Sequence, residues 1–185
     1  MDVSQVVRQS VTAMQTYTAE ALVELLELSP HPEGGYFRET FRSAERVQRL
    51  DSVAPGAHRA ASTAIYFLLP AGAYSAWHAV LSDEVWHHYD GVATELHTID
   101  PAGVHTAVLL GRDLARDQRP QRIVPAGWLQ AARPVALCGT PSGYSLVGCT
   151  VSPGFEFTDF AMPPRAELHR RFPQLGAIID ELARS

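Results

Sequence analysis

The sequence predicts an all-β domain, a sandwich or barrel of short strands, on three observations. Turn signals recur at short intervals, at Pro70-Ala71-Gly72, Asp90-Gly91, Asp100-Pro101-Ala102-Gly103, Pro125-Ala126-Gly127, Pro141-Ser142-Gly143 and Pro153-Gly154, a spacing that suits antiparallel strands with tight connections. Between them, residues 62–69, 93–99, 105–110, 121–124, 135–137, 146–151 and 156–160 are strand-like segments. Hydrophobic residues make up 46% of the chain and charged residues 19%, with 13 Gly and 13 Pro, which fits a globular protein with many turns. At 185 residues the chain can bury one core and is too short for two ordinary domains.

The elements follow in order. Residues 1–16 read as an N-terminal extension without nameable chemistry. Thr18 can cap a helix over 19–28, with Glu20 near its positive end and Leu22, Val23, Leu25 and Leu26 as its apolar face. Ser29-Pro30-His31-Pro32 ends it, and Gly34-Gly35 frees the backbone for a bend. Residues 36–42 then alternate as a strand, with Phe37, Glu39 and Phe41 on one face and Tyr36, Arg38 and Thr40 on the other. Residues 43–59 are polar, contain Pro55-Gly56 and read as a loop. The strands above follow, and Pro163-Pro164 closes them. Residues 165–171 and 174–183 are helical by pattern, interrupted at Pro173, with Leu168, Phe172, Leu175, Ile178, Ile179 and Leu182 available for packing. The organisation is therefore an extension (1–16), one β domain (17–163) and a helical tail (164–185).

A net charge of -5 gives no general attraction to nucleic acid or anionic membranes. No apolar run approaches the roughly 20 residues of a membrane helix, and no charged segment followed by an apolar stretch marks a signal peptide, so a cytoplasmic location is expected. Cys138 and Cys149 sit in apolar, strand-like contexts and read as buried free thiols.

Chemistry concentrates in residues 77–91, W-H-A-V-L-S-D-E-V-W-H-H-Y-D-G, which hold three of the 8 histidines. On a strand, Glu84, Trp86 and His88 share one face while Val85, His87 and Tyr89 share the other. His78 and Glu84 can meet only if the chain reverses near Leu81-Ser82-Asp83. Downstream, the Pro125-Ala126-Gly127 turn precedes Gln130, whose amide could join them.

These residues resemble the cupin superfamily. Its first motif pairs two histidines, a glutamate and a glycine, and its second runs from a proline and a glycine to a histidine. His78, Glu84 and Gly91 fit the first motif and Pro125 and Gly127 the second, while Val80 and Gln130 stand where imidazoles are expected. The runs 31–40, 82–86 and 151–157 are similar to one cupin group, cupin-5 (DUF985). The resemblance spans about residues 22–163 and implies a double-stranded β-helix, or jelly roll, usually dimeric, with the strand at 36–42 as an element of the interface.

The residues then separate three chemistries. A metal on His78, Glu84 and Gln130 would have one imidazole, one carboxylate and one amide, a weak donor set; His88 would lie roughly 13 Å from Glu84 along the strand. No cofactor is therefore expected beyond a weakly bound divalent metal, and a metal-dependent dioxygenase is the least favoured reading. Metal-free acid-base work suits the residues better, because a carboxylate can orient an imidazole and hold its proton. The run Gly35–Thr40 also resembles metal-free sugar-nucleotide 3,5-epimerases, which are cupins. The resulting expectation is an isomerase or epimerase-like protein acting on a sugar or nucleotide sugar. His78 or His88 would be its base, Glu84 the partner and Arg38 an anion anchor, with Tyr36, Trp86, Gln130 and Phe157 around the ligand. The alternative is a barrel that binds a small ligand without transforming it. Trp77, Trp86, Trp128 and Tyr144 can equally be core, and His31, His58, His97, His105 and His169 show no partner pattern.

Overall fold

The computed structural model describes residues 17–50, 56–135 and 143–184. Thr18 caps helix α1 (Ala19–Leu25) as expected, its hydroxyl accepting the Ala21 N–H at 3.2 Å. The helix stops short of the expected residue 28, because Glu27 turns left-handed at φ 53°. Of the expected apolar face, Leu22 packs with Leu28, Leu68 and Tyr144, with Val23 and Leu26 against them, whereas Leu25 is 63% exposed.

The first strands are β1 (Ser29–Pro30), β2 (Tyr36–Arg42), β3 (Arg46–Gln48), β4 (His58–Ala60), β5 (Thr63–Pro70), β6 (Ser75–Val80) and β7 (Asp83–Gly91). After them come β8 (Thr94–Ile99), β9 (His105–Leu110), β10 (Gln121–Val124), β11 (Leu129–Pro134), β12 (Tyr144–Ser152) and β13 (Phe160–Ala161). A six-stranded sheet has the order β1-β2-β5-β12-β7-β10 and a five-stranded sheet the order β13-β6-β11-β8-β9. Every named pairing is antiparallel. The two sheets form the sandwich of a jelly roll, as the sequence predicts.

Alternation divides the side chains between two apolar layers. Phe67, Leu69, Trp86, Leu96, Leu110, Val124 and Val147 fill the space between the sheets. Trp77, Ile99 and Leu129 point out of the five-stranded sheet and are covered by helices α2 (Arg165–Arg171) and α3 (Gly176–Leu182) through Leu168, Phe172, Ile179 and Leu182. The helical tail is thus a lid on one sheet, and Pro173 interrupts it in a 3-10 turn where expected.

Three segments differ from expectation. The polar stretch 43–59 carries the β3-β4 hairpin, tied to the domain by the buried Arg49, which donates to Ser82 Oγ at 2.8 Å and to the Leu81 carbonyl at 2.5 Å. Residues 156–160 form a 3-10 turn (Phe157–Asp159) before the short β13, because Asp159 turns inward to pair with Arg59, both contacts 2.6 Å. The strand expected at 135–137 falls mostly outside the described residues, as do Cys138 and the 1–16 extension; the strand lies one step earlier, as β11. Among the described residues no helix is long and apolar enough to cross a membrane.

One irregularity in β2 matters for the site. Glu39 pairs with Ile65 and Phe41 with Ala64, leaving Thr40 as a bulge. Beyond it the alternation is inverted: Arg42 follows Phe37 and Glu39 onto the cavity side of the strand, and Phe41, expected there, is 54% exposed.

Candidate functional site

β6 and β7 are consecutive but lie in different sheets, so the turn through Leu81 and Ser82 carries the chain across the sandwich. It sets His78 and Glu84 on facing walls of one cavity of about 90 Å³. His78 looks inward because its neighbour Trp77 is committed to the helical lid. Val80, two residues on, lines the same cavity with an apolar surface.

A third group comes from the loop before β2. Gly34 and Gly35 have φ of 120° and 65°, and a Cβ on either would lie 2.1 Å from the Tyr74 carbonyl oxygen or 2.5 Å from that of Leu68. Only glycine lets this loop press against the neighbouring strands, and that approach drives Glu33 into the protein. Its carboxyl accepts from Ser75 Oγ at 2.8 Å and stands 3.4 Å from His78 Nε2 and 3.4 Å from His31 Nδ1 through the same Oε2.

The protons follow from these bonds. His78 Nδ1 lies 2.8 Å from the Ala76 carbonyl, so it carries the hydrogen and Nε2 presents a lone pair. His31 Nδ1 accepts the Glu33 backbone N–H at 3.4 Å and is likewise bare. An ionised Glu33 would put its oxygen against two lone pairs, so the cluster needs a proton there. Burial pushes the Glu33 carboxyl up to about 8, against smaller downward effects from Ser75 and Arg184. Burial also drives His31 down to about 4, helped by His78 and Arg184, and lowers His78 despite the opposing field of Glu84. The close His–Glu contacts are therefore contacts between neutral groups rather than ion pairs.

Glu84 is held from behind. Its Oε2 accepts from Gln130 Nε2 at 2.5 Å, and Gln130 Oε1 accepts from Trp86 Nε1 at 3.0 Å, all three buried. Burial raises Glu84, with His78 opposing, and it raises the neighbouring Cys149 thiol well above its ordinary value, with Glu84 adding to the effect. Cys149 is a buried free cysteine, as expected.

Of the expected site residues, His78, Glu84 and Phe157 line the cavity. Trp86 and Gln130 form the layer behind Glu84. His88 shares a face with Glu84 and Trp86, as alternation requires, yet it lies further along β7: its Nε2 meets the Val92 carbonyl at 3.0 Å and it is not on the cavity wall. Tyr36 packs against α1, on the other side of β2. Arg38 also turns away, to Glu27 at 2.7 Å and the Leu26 carbonyl at 3.1 Å, so it is not an anion anchor in this cavity. The guanidinium at the cavity is Arg42.

His31, Glu33, Arg42 and Cys149 are the residues that sequence reasoning missed. The Pro-Glu-Gly-Gly run after His31 was a signal for Glu33, since paired glycines allow the close backbone approach that buries a neighbour. The metal set His78, Glu84 and Gln130 does not fit the geometry: the Gln130 amide is bonded to Glu84 and Trp86, and the bare His78 nitrogen faces Glu33. Among the described residues no group of three or more His, Cys, Asp or Glu is arranged to hold a metal ion.

Residues 20–163 match the family described as Cupin superfamily (DUF985). A hypothetical protein from Leishmania major is 38% identical over 91% of this chain and 100% of its own, with a TM-score of 0.83. A protein from Shewanella oneidensis is 36% identical over 91% and 99%, with a TM-score of 0.80. An oxalate decarboxylase variant from Bacillus subtilis, 12% identical over 94% of this chain and 40% of its own with a TM-score of 0.50, shares the fold alone. No curated protein sequence matches the chain.

Proposed function

Because this chain belongs to the cupin superfamily group DUF985, we propose that its cavity performs metal-free proton transfer on a small organic molecule, an isomerase-type reaction next to a carbonyl. The observation that carries this reading is the 3.4 Å contact of Glu33 with the bare Nε2 of His78. A neutral carboxylic acid and a neutral imidazole side by side are an acid and a base each in working form near neutral pH.

The step balances without another reactant. His78 Nε2 takes the proton from the carbon beside the carbonyl, and the released electron pair forms a carbon–carbon double bond. The carbonyl pair moves to oxygen, which receives the Glu33 proton. The imidazolium then gives its proton to the other carbon or to the opposite face while a hydroxyl of the enol returns a proton to Glu33, which re-forms a carbonyl and restores both residues. Glu84 faces His78 across the cavity, and its field favours the imidazolium formed midway.

Size narrows the ligand. The enclosed space of about 90 Å³ is far below the roughly 300–1,000 Å³ of sites that engulf a drug-sized molecule. A nucleotide sugar would have to leave its diphosphate outside, beside Glu39 and Glu156. A dioxygenase or weakly bound metal receives less support, because Val80 and Gln130 supply no imidazole. A homodimer through β2 is proposed as well: among the described residues β1 pairs only with Tyr36 and Phe37, leaving the strand edge beyond them without a partner strand.

The test is solvent exchange. Chelator-treated protein is incubated in D2O with small aldoses, ketoses, amino ketones and nucleotide sugars, and deuterium uptake beside the carbonyl is followed by NMR. Uptake in at least one compound, lost in Glu33→Gln and His78→Ala, is expected. A compound that binds in the cavity while no member of the panel exchanges would leave the protein a binding module.

A further inference from the structure

The cavity carries a charge pattern that its proton chemistry does not explain. Arg42 spends most of its donors within the protein. Its Nε and Nη2 reach Glu39 at 2.9 and 2.8 Å, Nη1 reaches Glu156 at 2.8 Å, and Nη2 also meets the Phe155 carbonyl at 3.1 Å. Two carboxylates thus hold one guanidinium at the exposed end, and the mouth keeps a net negative charge. Deeper in, no cation waits: burial keeps His31 and His78 neutral. Arg184 bears on Glu33 through the loop and is not on the cavity wall.

The remaining walls are apolar and chiefly aromatic. Phe155, Phe157 and Phe160 stand steeply to one another, with interplanar angles of 82°, 66° and 82° and centroids 5.1 to 6.2 Å apart. Phe37 and Phe67 add two further rings, and Ile65, Val80 and Val151 supply aliphatic surface between them. The face of a phenyl ring is negative, so it attracts a cation and repels an anion. The acidic mouth repels phosphates and carboxylates, and the ring walls behind it offer them no counter-charge.

We propose that the cavity selects a small organic cation, an ammonium compound of about the size of tetramethylammonium, over neutral or anionic molecules of the same shape. Glu39 and Glu156 draw it in, the phenylalanines hold its methyl or methylene groups, and Glu84 lies at the depth the cation reaches. This deepens the reading above by naming the ligand class, and it rests on the same cavity being the working site, though not on catalysis.

Three probes of similar shape decide it: tetramethylammonium, tert-butanol and pivalate, titrated by calorimetry into the chelator-treated full chain at constant ionic strength. Tetramethylammonium should bind at least tenfold more tightly than tert-butanol, and pivalate should not bind. Glu156→Gln, at a half-buried position of the mouth, should weaken the cation severalfold and leave tert-butanol unchanged. Phe157→Leu should weaken the cation more than the alcohol. Pivalate binding as tightly as the cation, equal affinity for all three, or no binding by any of them overturns the proposal. Deuterium exchange would be untouched by those results, so the two readings fail separately.

Discussion

Replacing Glu33 with Gln should flatten the pH dependence of stability. In the folded protein this carboxyl is pushed from 4.5 up to about 8 by burial. Below pH 4.5 both states hold the proton; above it the unfolded chain releases the proton first, so rising pH favours unfolding until the folded group also ionises near 8. The stability associated with Glu33 therefore falls by about 1.4 kcal/mol per pH unit across that window. His31, moved from 6.5 down to about 4, has the opposite sign: it stabilises as pH rises toward 6.5, and the two slopes oppose each other below that pH. Between pH 6.5 and 8 the Glu33 slope is free of that opposition and removes about 2 kcal/mol. Glutamine keeps the shape and the acceptor for Ser75 Oγ while deleting the titration. Urea denaturation of both proteins at pH 6.5 and 8 measures the outcome: the gap in unfolding free energy should move by about 2 kcal/mol in favour of Glu33→Gln. A gap that stays constant within about 0.5 kcal/mol would refute the buried, protonated carboxyl and the acid assigned to it.

Other perturbations test the frame around the site. Gly34→Ala should destabilise by at least about 2 kcal/mol, since its Cβ would strike the Tyr74 carbonyl at a left-handed φ. Gly72→Ala has the same sign of φ but open space around it, so thermal melts should show the smaller loss; equal losses would mean that the close approach does not matter. Trp86→Phe leaves the buried Gln130 carbonyl without its donor and should cost about 1–3 kcal/mol in chemical denaturation; a loss under about 0.5 kcal/mol would show that the bond contributes little. Arg59→Leu strips the bidentate partner from buried Asp159 and should cost about 3 kcal/mol, read by the same assay; an unchanged midpoint would show that Arg49, whose Nη1 lies 3.7 Å from Asp159 Oδ2, suffices to hold it.

What could be read from the chain was whatever depends on alternation and punctuation. Residues 105–110 and 121–124 are strands because β-rich stretches there end at plain turns. Glu84, Trp86 and His88 share a face because β7 is regular through that stretch. His78 and Glu84 meet because a short turn between inward-facing residues must cross the sandwich. Glu33 was not legible in this way: its burial comes from a loop, and loops have no period to count. Arg42 was hidden by one bulged residue, and Arg38 was named instead beside the resemblance of the run Gly35–Thr40, although it lies on the face of β2 that turns away from the cavity. His31 looked solitary because its partners, Glu33 apart, are rings from β2, β5 and the 157–160 segment. His88 failed for a metric reason, since a shared face does not bring residues one strand-length apart to the same point.

The bulge at Thr40 makes chain length, rather than side-chain identity, the quantity that tolerates change in β2. Thr40 has no partner residue on β5, so removing it would leave Glu39 opposite Ile65, Phe41 opposite Ala64 and Arg42 opposite Thr63. The main tie broken would be its hydroxyl's bond to the Ala64 carbonyl at 3.2 Å. Deleting Glu39 or Phe41 would instead slide a paired residue and turn a different side chain toward the cavity mouth. Within this strand, a one-residue gap in the sequence is benign at a single position, and there it restores a regular ladder.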